Sequence, residues 1–331
     1  MVYIETESHD GAFHFSVEEY MARDYPCGEP VMMIWQADRC VMLGLNQIAE
    51  AEIDTSYAKK EGITIVRRSS GGGTIFTDLG TLLFTLILPE TQERYPLEIA
   101  KEKITIMVTS ALNAMGVPVN IEGRNDILVD GKKVSGIAQY ARHGRLCTHG
   151  SLLYDTDLET LARVLRADKE KISSKALKSV RSRVTNIKEY VSCRYSTREF
   201  WGLLKQNLFR DQNIREYKLT EHDLARVDGI YRQKYGNPSW TFTRSPEFSF
   251  RSSRRFPGGK VEVYLDVKKG VVESCSIRGD FLGLKPIRDL ERVFEGAVFQ
   301  REAFSRALDG VFLRSYLGNI SGEELLSCVF D

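Results

Sequence analysis

The 331-residue chain holds only six cysteines, Cys27, Cys40, Cys147, Cys193, Cys275 and Cys328, and no two form a CxxC pair. That scatter argues against a zinc site or a disulfide framework and for a reducing compartment. No apolar run approaches the ~20 residues a membrane helix needs. The first residues, MVYIETESHDGAF, carry no basic-then-apolar signal. A cytoplasmic protein with no membrane span is expected. Charge of one sign is missing too: 46 Lys and Arg face 45 Asp and Glu, a net +1. No global field then draws nucleic acid or membrane, so any basic site must be local. Basic clusters without interleaved aromatics also argue against a nucleic-acid-binding module. Neither GxxxxGK[ST] nor GxGxxG spacing occurs, which sets aside the two standard phosphate loops.

What is present is the run Arg67-Arg68-Ser69-Ser70-Gly71-Gly72-Gly73, lying between β-like segments at 63–66 and 81–88. Consecutive glycines bare their backbone N–H groups, and guanidinium grips phosphate oxygens, so the run suits a polyanion. A hairpin tip with solvated arginines would read the same way. Around it, helices are expected at 13–23 and 97–115, and strands at 31–35 and 39–43. A β-meander is expected over 117–121, 126–129, 133–139 and 150–154. Capping-box starts stand at Thr156 with Glu159, Ser196 with Glu199 and Thr220 with Asp223.

The stretch 243–260, rich in Pro, Gly, Ser and Arg, has the composition of a linker. Beyond it, 261–267 and 271–277 alternate about Lys268-Lys269-Gly270, and helical segments follow. The expected division is a large domain over 1–245, a linker over 246–259 and a small domain over 260–331.

Asp130-Gly131 is a two-residue hairpin signal. A simple register from it pairs Val129 with Lys132, Leu128 with Lys133 and Asp126 with Ser135. Asp126, Leu128, Lys133 and Ser135 then share one face. A carboxylate and an ammonium there suit a metal ion and a phosphate respectively, though a surface salt bridge beside a turn has the same sequence. His149 at a strand end reads equally as a core residue. No spacing pairs it convincingly with Cys147. The basic cluster SKALKSVRSRVTN, from Ser174, lacks an apolar helical face. It reads as a mobile loop folding over an anion, or as a charged surface.

RRSSGGGTIFTDLG, GRNDILVDGKKVSGIAQ, THGSLL and SKALKSVRSRVTN, in this order, resemble the lipoate–protein ligase A family. GGKVEVYLDVKKGVVESCSIRGDFLG resembles its accessory C-terminal domain. The resemblance implies an α+β fold of mixed, largely antiparallel β-sheets flanked by helices, like that of biotin and lipoate ligases, with a small α+β domain appended. It implies ATP-dependent attachment of lipoate to a lysine through lipoyl-AMP, with Mg2+. The implied acceptors are carrier domains: E2 subunits of 2-oxoacid dehydrogenase complexes or the glycine cleavage H protein. Octanoate is an alternative acid, and a monomer is expected.

Carried over, Lys133 is the catalytic residue, bridging acyl carbonyl and phosphate. The ATP and adenylate side comprises Arg68, Gly71, Gly72, Gly73, Ile75, Asn125, Asp126, Lys133, Ser179, Val180, Arg181 and Arg183, with Asp126 toward the metal. The lipoate side comprises Trp35, Gly44, Arg68, Ser70, Gly71, Gly136, Ala138 and His149.

The sequence departs from the family at Thr77-Asp78-Leu79-Gly80-Thr81, where His-Asp-x-Gly-Asn is usual. His14 replaces an Asn, and Ala176 a Gly. An octanoyl or lipoyl transferase would need a cysteine nucleophile in the loop 120–126, and none stands there. A carrier-binding pseudoenzyme would rest on Thr77 and Thr81 alone.

Overall fold

The computed structural model describes residues 1–25, 28–47, 49–90, 96–122, 126–165, 183–210, 212–242, 249–268 and 270–331. Apolar, β-branched segments form β1 (Val2–Ile4), β2 (Val31–Trp35), β3 (Cys40–Leu43), β4 (Thr64–Arg67), β5 (Ile75–Thr77) and β6 (Thr81–Pro89). Between them lie α1 (Gly11–Arg23), α2 (Ala49–Glu52) and α3 (Thr55–Lys60). Next come α4 (Pro96–Ala114), β7 (Asn120–Glu122), β8 (Asp126–Val129), β9 (Lys132–Arg142), β10 (Arg145–Leu153) and α5 (Leu158–Val164). Strand β11 (Arg215–Glu216) closes the edge of the main sheet.

Among the described residues, that sheet runs β11-β1-β2-β6-β10-β9-β8-β7. It is parallel at β11/β1 and β1/β2 and antiparallel elsewhere. A second sheet runs β4-β3-β5. Both faces of the main sheet are covered, so its strands read as unbroken apolar runs instead of alternating. Met32, Ile34, Leu82 and Phe84 pack on α4 and on the helix Thr197–Leu208. Val31, Met33, Trp35 and Leu83 pack on α1 through Phe15 and Met21. Asp10 caps α1, its Oδ1 accepting from the Ala12 N–H at 2.8 Å. The pocket described below opens on the α1 face.

Four expectations are corrected. First, α5 is capped by Asp157, which accepts from Glu159 and Thr160 N–H. Thr156 is instead buried, with its hydroxyl 2.8 Å from that of Thr81. Second, β9 and β10 extend through Tyr140 and Arg145, turning at His143 and Gly144 with positive φ.

Third, β8 and β9 slip by one residue. Leu128 faces Lys133, but Ile127 faces Ser135 and Asp126 faces Gly136. This bulge turns Ser135 to the core face, paired with Leu152, and brings Gly136 beside Asp126. Fourth, the 246–259 stretch expected as a linker contains β12 (Phe250–Phe256). It pairs antiparallel with β13 (Gly259–Lys268), which pairs with β14 (Val271–Gly279). The helices Ile287–Phe294 and Gly322–Phe330 cover this small sheet.

The small unit touches the catalytic unit directly. Gly72 N–H donates to the Phe281 carbonyl at 3.2 Å, and Gly279 N–H to the Asn46 carbonyl at 3.0 Å. Arg314 pairs with Glu98 at 3.3 Å, and a cavity of about 590 Å³ lies between the units.

Candidate active site

A slot of about 130 Å³ opens between α1, the Arg67–Gly73 run and the β9–β10 hairpin. Its lining mixes the apolar side chains of Phe15, Trp35, Met42, Ile75 and Leu83 with Arg68, Gly72, Gly73, Lys133 and His149. Gly136 and Ala138 also line it. That combination suits an acid with an aliphatic tail whose head group meets fixed charge.

Lys133 reaches across the sheet to Asp126, Nζ to Oδ1 2.7 Å, both side chains about one-third exposed. A Cβ at Gly136 would stand 2.9 Å from that Nζ, so glycine is what leaves the ammonium its place. The Lys133 backbone is held from the other side: its N–H donates to the Arg183 carbonyl at 2.8 Å, and its carbonyl accepts from Thr185 N–H at 3.1 Å. Arg183, where the basic cluster re-emerges, is therefore adjacent to Lys133. Asn125, Ser179, Val180, Arg181 and Ala176 lie outside the described residues.

The two arginines of the run are both buried and do structural duty in this arrangement. Arg67 donates to the carbonyls of Gly44, Leu45, Gln47 and Thr241. Arg68 donates Nη1 to Met42 O at 2.9 Å, and Nη2 to Gly71 O at 2.8 Å and Gly73 O at 2.7 Å. Its Nε donates to Ser70 Oγ at 3.0 Å. Burial, with Arg67 beside it, lowers its pKa to about 10, so the guanidinium stays charged at neutral pH. Arg68 thus clamps the glycine turn, while its side chain forms part of the slot wall.

Gly72 has φ +92°, a conformation that favours glycine. Gly44, Ser70 and Gly71 stand behind the lining. Gly44 lies under the Gly72 carbonyl, and Gly71 lies against the Phe281 carbonyl.

His149 borders the slot from β10, and both ring nitrogens are engaged. Nε2 lies 2.6 Å from Ser70 Oγ, and Nδ1 2.9 Å from Glu18 Oε2. Glu18, missed in the sequence, is fully buried. Burial alone would raise its pKa, but His149, Thr85 and Tyr140 outweigh that and hold the carboxylate below its usual range. The available signal was an acid at i+3 from Phe15 and i−3 from Met21, on a helix face that is otherwise apolar. Beside it, Glu19 accepts from Lys234 and from Tyr235 OH at 2.7 Å, and Lys234 donates to Ser69 Oγ at 2.8 Å. Lys234 and Tyr235 belong to a π-helical turn, Tyr231–Tyr235. The serines of the run are therefore braced by adjacent acids of α1.

The Thr77–Thr81 departure forms a turn away from the slot. Asp78 accepts from Gly80 N–H at 2.9 Å and Asp157 N–H at 2.8 Å. His14 stacks on Trp35, centroids 4.5 Å apart, so that departure does touch the slot wall. Cys147 is buried and its thiol is pushed well above its ordinary range by burial, the opposite of an activated nucleophile. Among the described residues no group of three or more His, Cys, Asp or Glu could hold a metal. The donors near Lys133 offer one carboxylate, Asp126, which fits a cation bound chiefly by phosphates and water.

A slot lined by apolar side chains together with a glycine turn, an arginine and a lysine paired to a carboxylate has the chemistry of an acyl-activating ligase site. The chain belongs to the lipoyl protein ligase A/B family: the model of that catalytic domain matches residues 10–209. The bacterial lipoate protein ligase C-terminus matches residues 245–329. The chain is 36% identical to lipoate-protein ligase LplJ of Bacillus subtilis, with 100% of both chains covered. It is 33% identical to a lipoate–protein ligase of Streptococcus pyogenes, over 97% of this chain and 96% of that one. Among solved structures it resembles lipoate-protein ligase A bound with ATP, at 26% identity and TM-score 0.63, covering 73% of this chain and 97% of that one. The fold also matches LipL1 of P. falciparum, at TM-score 0.77 and 20% identity, covering 98% and 97%.

Proposed function

We propose that this chain joins free lipoate to a lysine of a carrier domain in two steps at the slot. In the first, a lipoate oxygen attacks the α-phosphate of ATP and pyrophosphate leaves. In the second, the carrier's ε-amine attacks the acyl carbonyl of lipoyl-AMP, AMP leaves and the amine proton is lost. The observation that carries the reading is the slot itself, whose lining brings apolar side chains together with Arg68, Gly72, Gly73 and Lys133. Relatives along its full length named as lipoate ligases support it.

Trp35, Phe15, Met42 and Leu83 receive the aliphatic tail, and Ile75, expected on the adenylate side, lines the same slot. Lys133 faces both the acyl carbonyl and the phosphate, where negative charge develops in each step. Asp126 keeps the ammonium turned across the sheet and would help hold Mg2+, which would neutralise phosphate charge. The turn, clamped by Arg68, sets Gly72 and Gly73 beside the head group, with the Gly72 N–H taken by the Phe281 carbonyl.

The acceptors are lipoyl-carrier domains of the E2 or H-protein kind. A solved archaeal bipartite lipoate protein ligase, described with its E2 lipoyl domain, resembles this chain at 27% identity and TM-score 0.66, covering 75% of this chain and 98% of that one. Octanoate fits the same slot chemistry. The protein acts as a cytoplasmic monomer. Incubation with ATP, Mg2+, lipoate and apo-carrier, read by intact mass, should add one lipoyl group to the carrier, and lipoate should drive ATP–pyrophosphate exchange. A folded protein giving neither would overturn the reading.

A further inference from the structure

We propose that Glu18 is a positioning residue for this site, holding the glycine turn through a buried relay that runs Glu18–His149–Ser70–Arg68. The inference rests on the proposed placement of the acyl head against residues 71–73.

Each link is a hydrogen bond between buried groups. Glu18 takes three donors: His149 Nδ1 at 2.9 Å, Thr85 Oγ1 at 2.9 Å and Tyr140 OH at 3.1 Å. A buried carboxylate is costly unless it is supplied in this way. A carboxylate only accepts, so His149 Nδ1–H is the donor to Glu18, and with a neutral imidazole this sets the direction of the rest of the relay. Nε2 is left to accept the Ser70 hydroxyl at 2.6 Å. Ser70 Oγ then turns a lone pair to Arg68 Nε–H at 3.0 Å, and Arg68 Nη2 holds the carbonyls of Gly71 and Gly73. In that order every partner is satisfied.

The relay spans α1, β10 and the glycine turn, with a buried anion at one end and a buried cation at the other. Thr85 also accepts from Trp35 Nε1 at 3.3 Å, so the apolar wall is tied to the same carboxylate. His149 borders the slot, yet both its nitrogens are engaged within the protein. Its part is to pass orientation from Glu18 to the turn.

The test uses Glu18→Gln and Ser70→Ala, singly and together. A carboxamide keeps one acceptor oxygen but turns an NH2 toward groups that donate. Lipoate-dependent ATP–pyrophosphate exchange should fall about tenfold to a hundredfold in each single variant, the scale of a misplaced reacting geometry. Because both act through one chain, the double variant should lose no more than the worse single. A readout free of activity comes from 15N-histidine NMR, with the His149 signals assigned against His149→Gln. Wild type should show Nδ1 protonated and Nε2 bare, and Glu18→Gln should lose that pattern.

Wild-type exchange rates in both single variants, multiplicative losses in the double, or an Nε2-protonated His149 in wild type would each overturn the relay. Should Glu18→Gln not fold, Ser70→Ala and the wild-type tautomer still decide. Lys133→Ala measured alongside separates the two ideas. Its retaining activity while the relay variants lose theirs would fault the placement of the reaction, not the relay.

Discussion

Lys133 Nζ stands 2.7 Å from Asp126 Oδ1, although the two residues are not opposite each other in the ladder: Asp126 pairs with Gly136. The contact is a diagonal across a bulge, and the missing Cβ at position 136 makes room for it. With both partners partly exposed, the pair contributes little to stability. Its importance is geometric, since it fixes where an ammonium sits at the mouth of an apolar slot.

Lys133→Ala should therefore cut adenylation by about 10²-fold, the ~3 kcal/mol typical of a preorganised charge contact, with little change in melting temperature. Lys132→Ala should leave adenylation near wild type, because Lys132 borders a different surface, beside Thr156 and Glu189. ATP–pyrophosphate exchange with lipoate measures both. The reverse pattern would refute the assignment.

The glycines make a graded prediction. A Cβ on Gly44 would lie 2.0 Å from the Gly72 carbonyl oxygen, while one on Gly73 meets nothing within 4 Å. Gly44→Ala should destabilise the fold by about 1–3 kcal/mol, the range for overpacking, and displace the turn. Gly73→Ala should stay within about 0.5 kcal/mol of wild type. Thermal melts with parallel exchange assays test the order, and equal effects at the two positions would contradict it.

The hairpin at Asp130-Gly131 was legible because positive φ at both turn residues demands that kind of dipeptide. The bulge that follows was not legible, since it arises from packing Val134 and Ser135 into the core. Strand β12 reads as linker in the sequence because an edge strand with Arg251, Arg254 and Arg255 turned outward has a linker's composition; charge on an edge guards against stray pairing. Trp35, Lys133, Gly136, Ala138 and His149, named from the family resemblance, all line the slot. Glu18 could not be named in that way, since its role depends on where α1 meets β10, a contact between residues 131 positions apart.

His14 adds an acid sensitivity. Burial lowers its pKa from 6.5 to about 4, so between those values the unfolded chain binds more protons than the folded one. Stability then falls as pH falls from about 6.5 toward 4, by about 3 kcal/mol in all at 1.36 kcal/mol per unit. His14→Asn removes that titration. The stability difference between His14→Asn and wild type should shift in favour of the variant by about 2 kcal/mol between pH 7 and pH 4.5. A pH-independent difference in denaturant midpoints would sink this account.

Glu52 has the opposite sign, at the junction of the two units. Burial raises its pKa to about 7, with Asp280 and Glu262 adding to the rise and Lys260 and Arg255 opposing it. Its folded value lies above the unfolded 4.5, so the folded state holds the proton longer. The stability that this proton contributes is complete below pH 4.5 and is lost as pH rises through 7. Glu52→Gln keeps the shape without the charge. It should raise stability at pH 8 by about 1–3 kcal/mol, the discounted worth of such a shift, and change it little at pH 5. In a chain of this size that is several degrees of melting temperature. Because Glu52 faces charges of the small unit, the gain should appear in whichever transition includes that unit's release, resolved by calorimetry at the two pH values. Equal melting curves for variant and wild type at pH 8 would show that the carboxylate is not ionising in a buried setting.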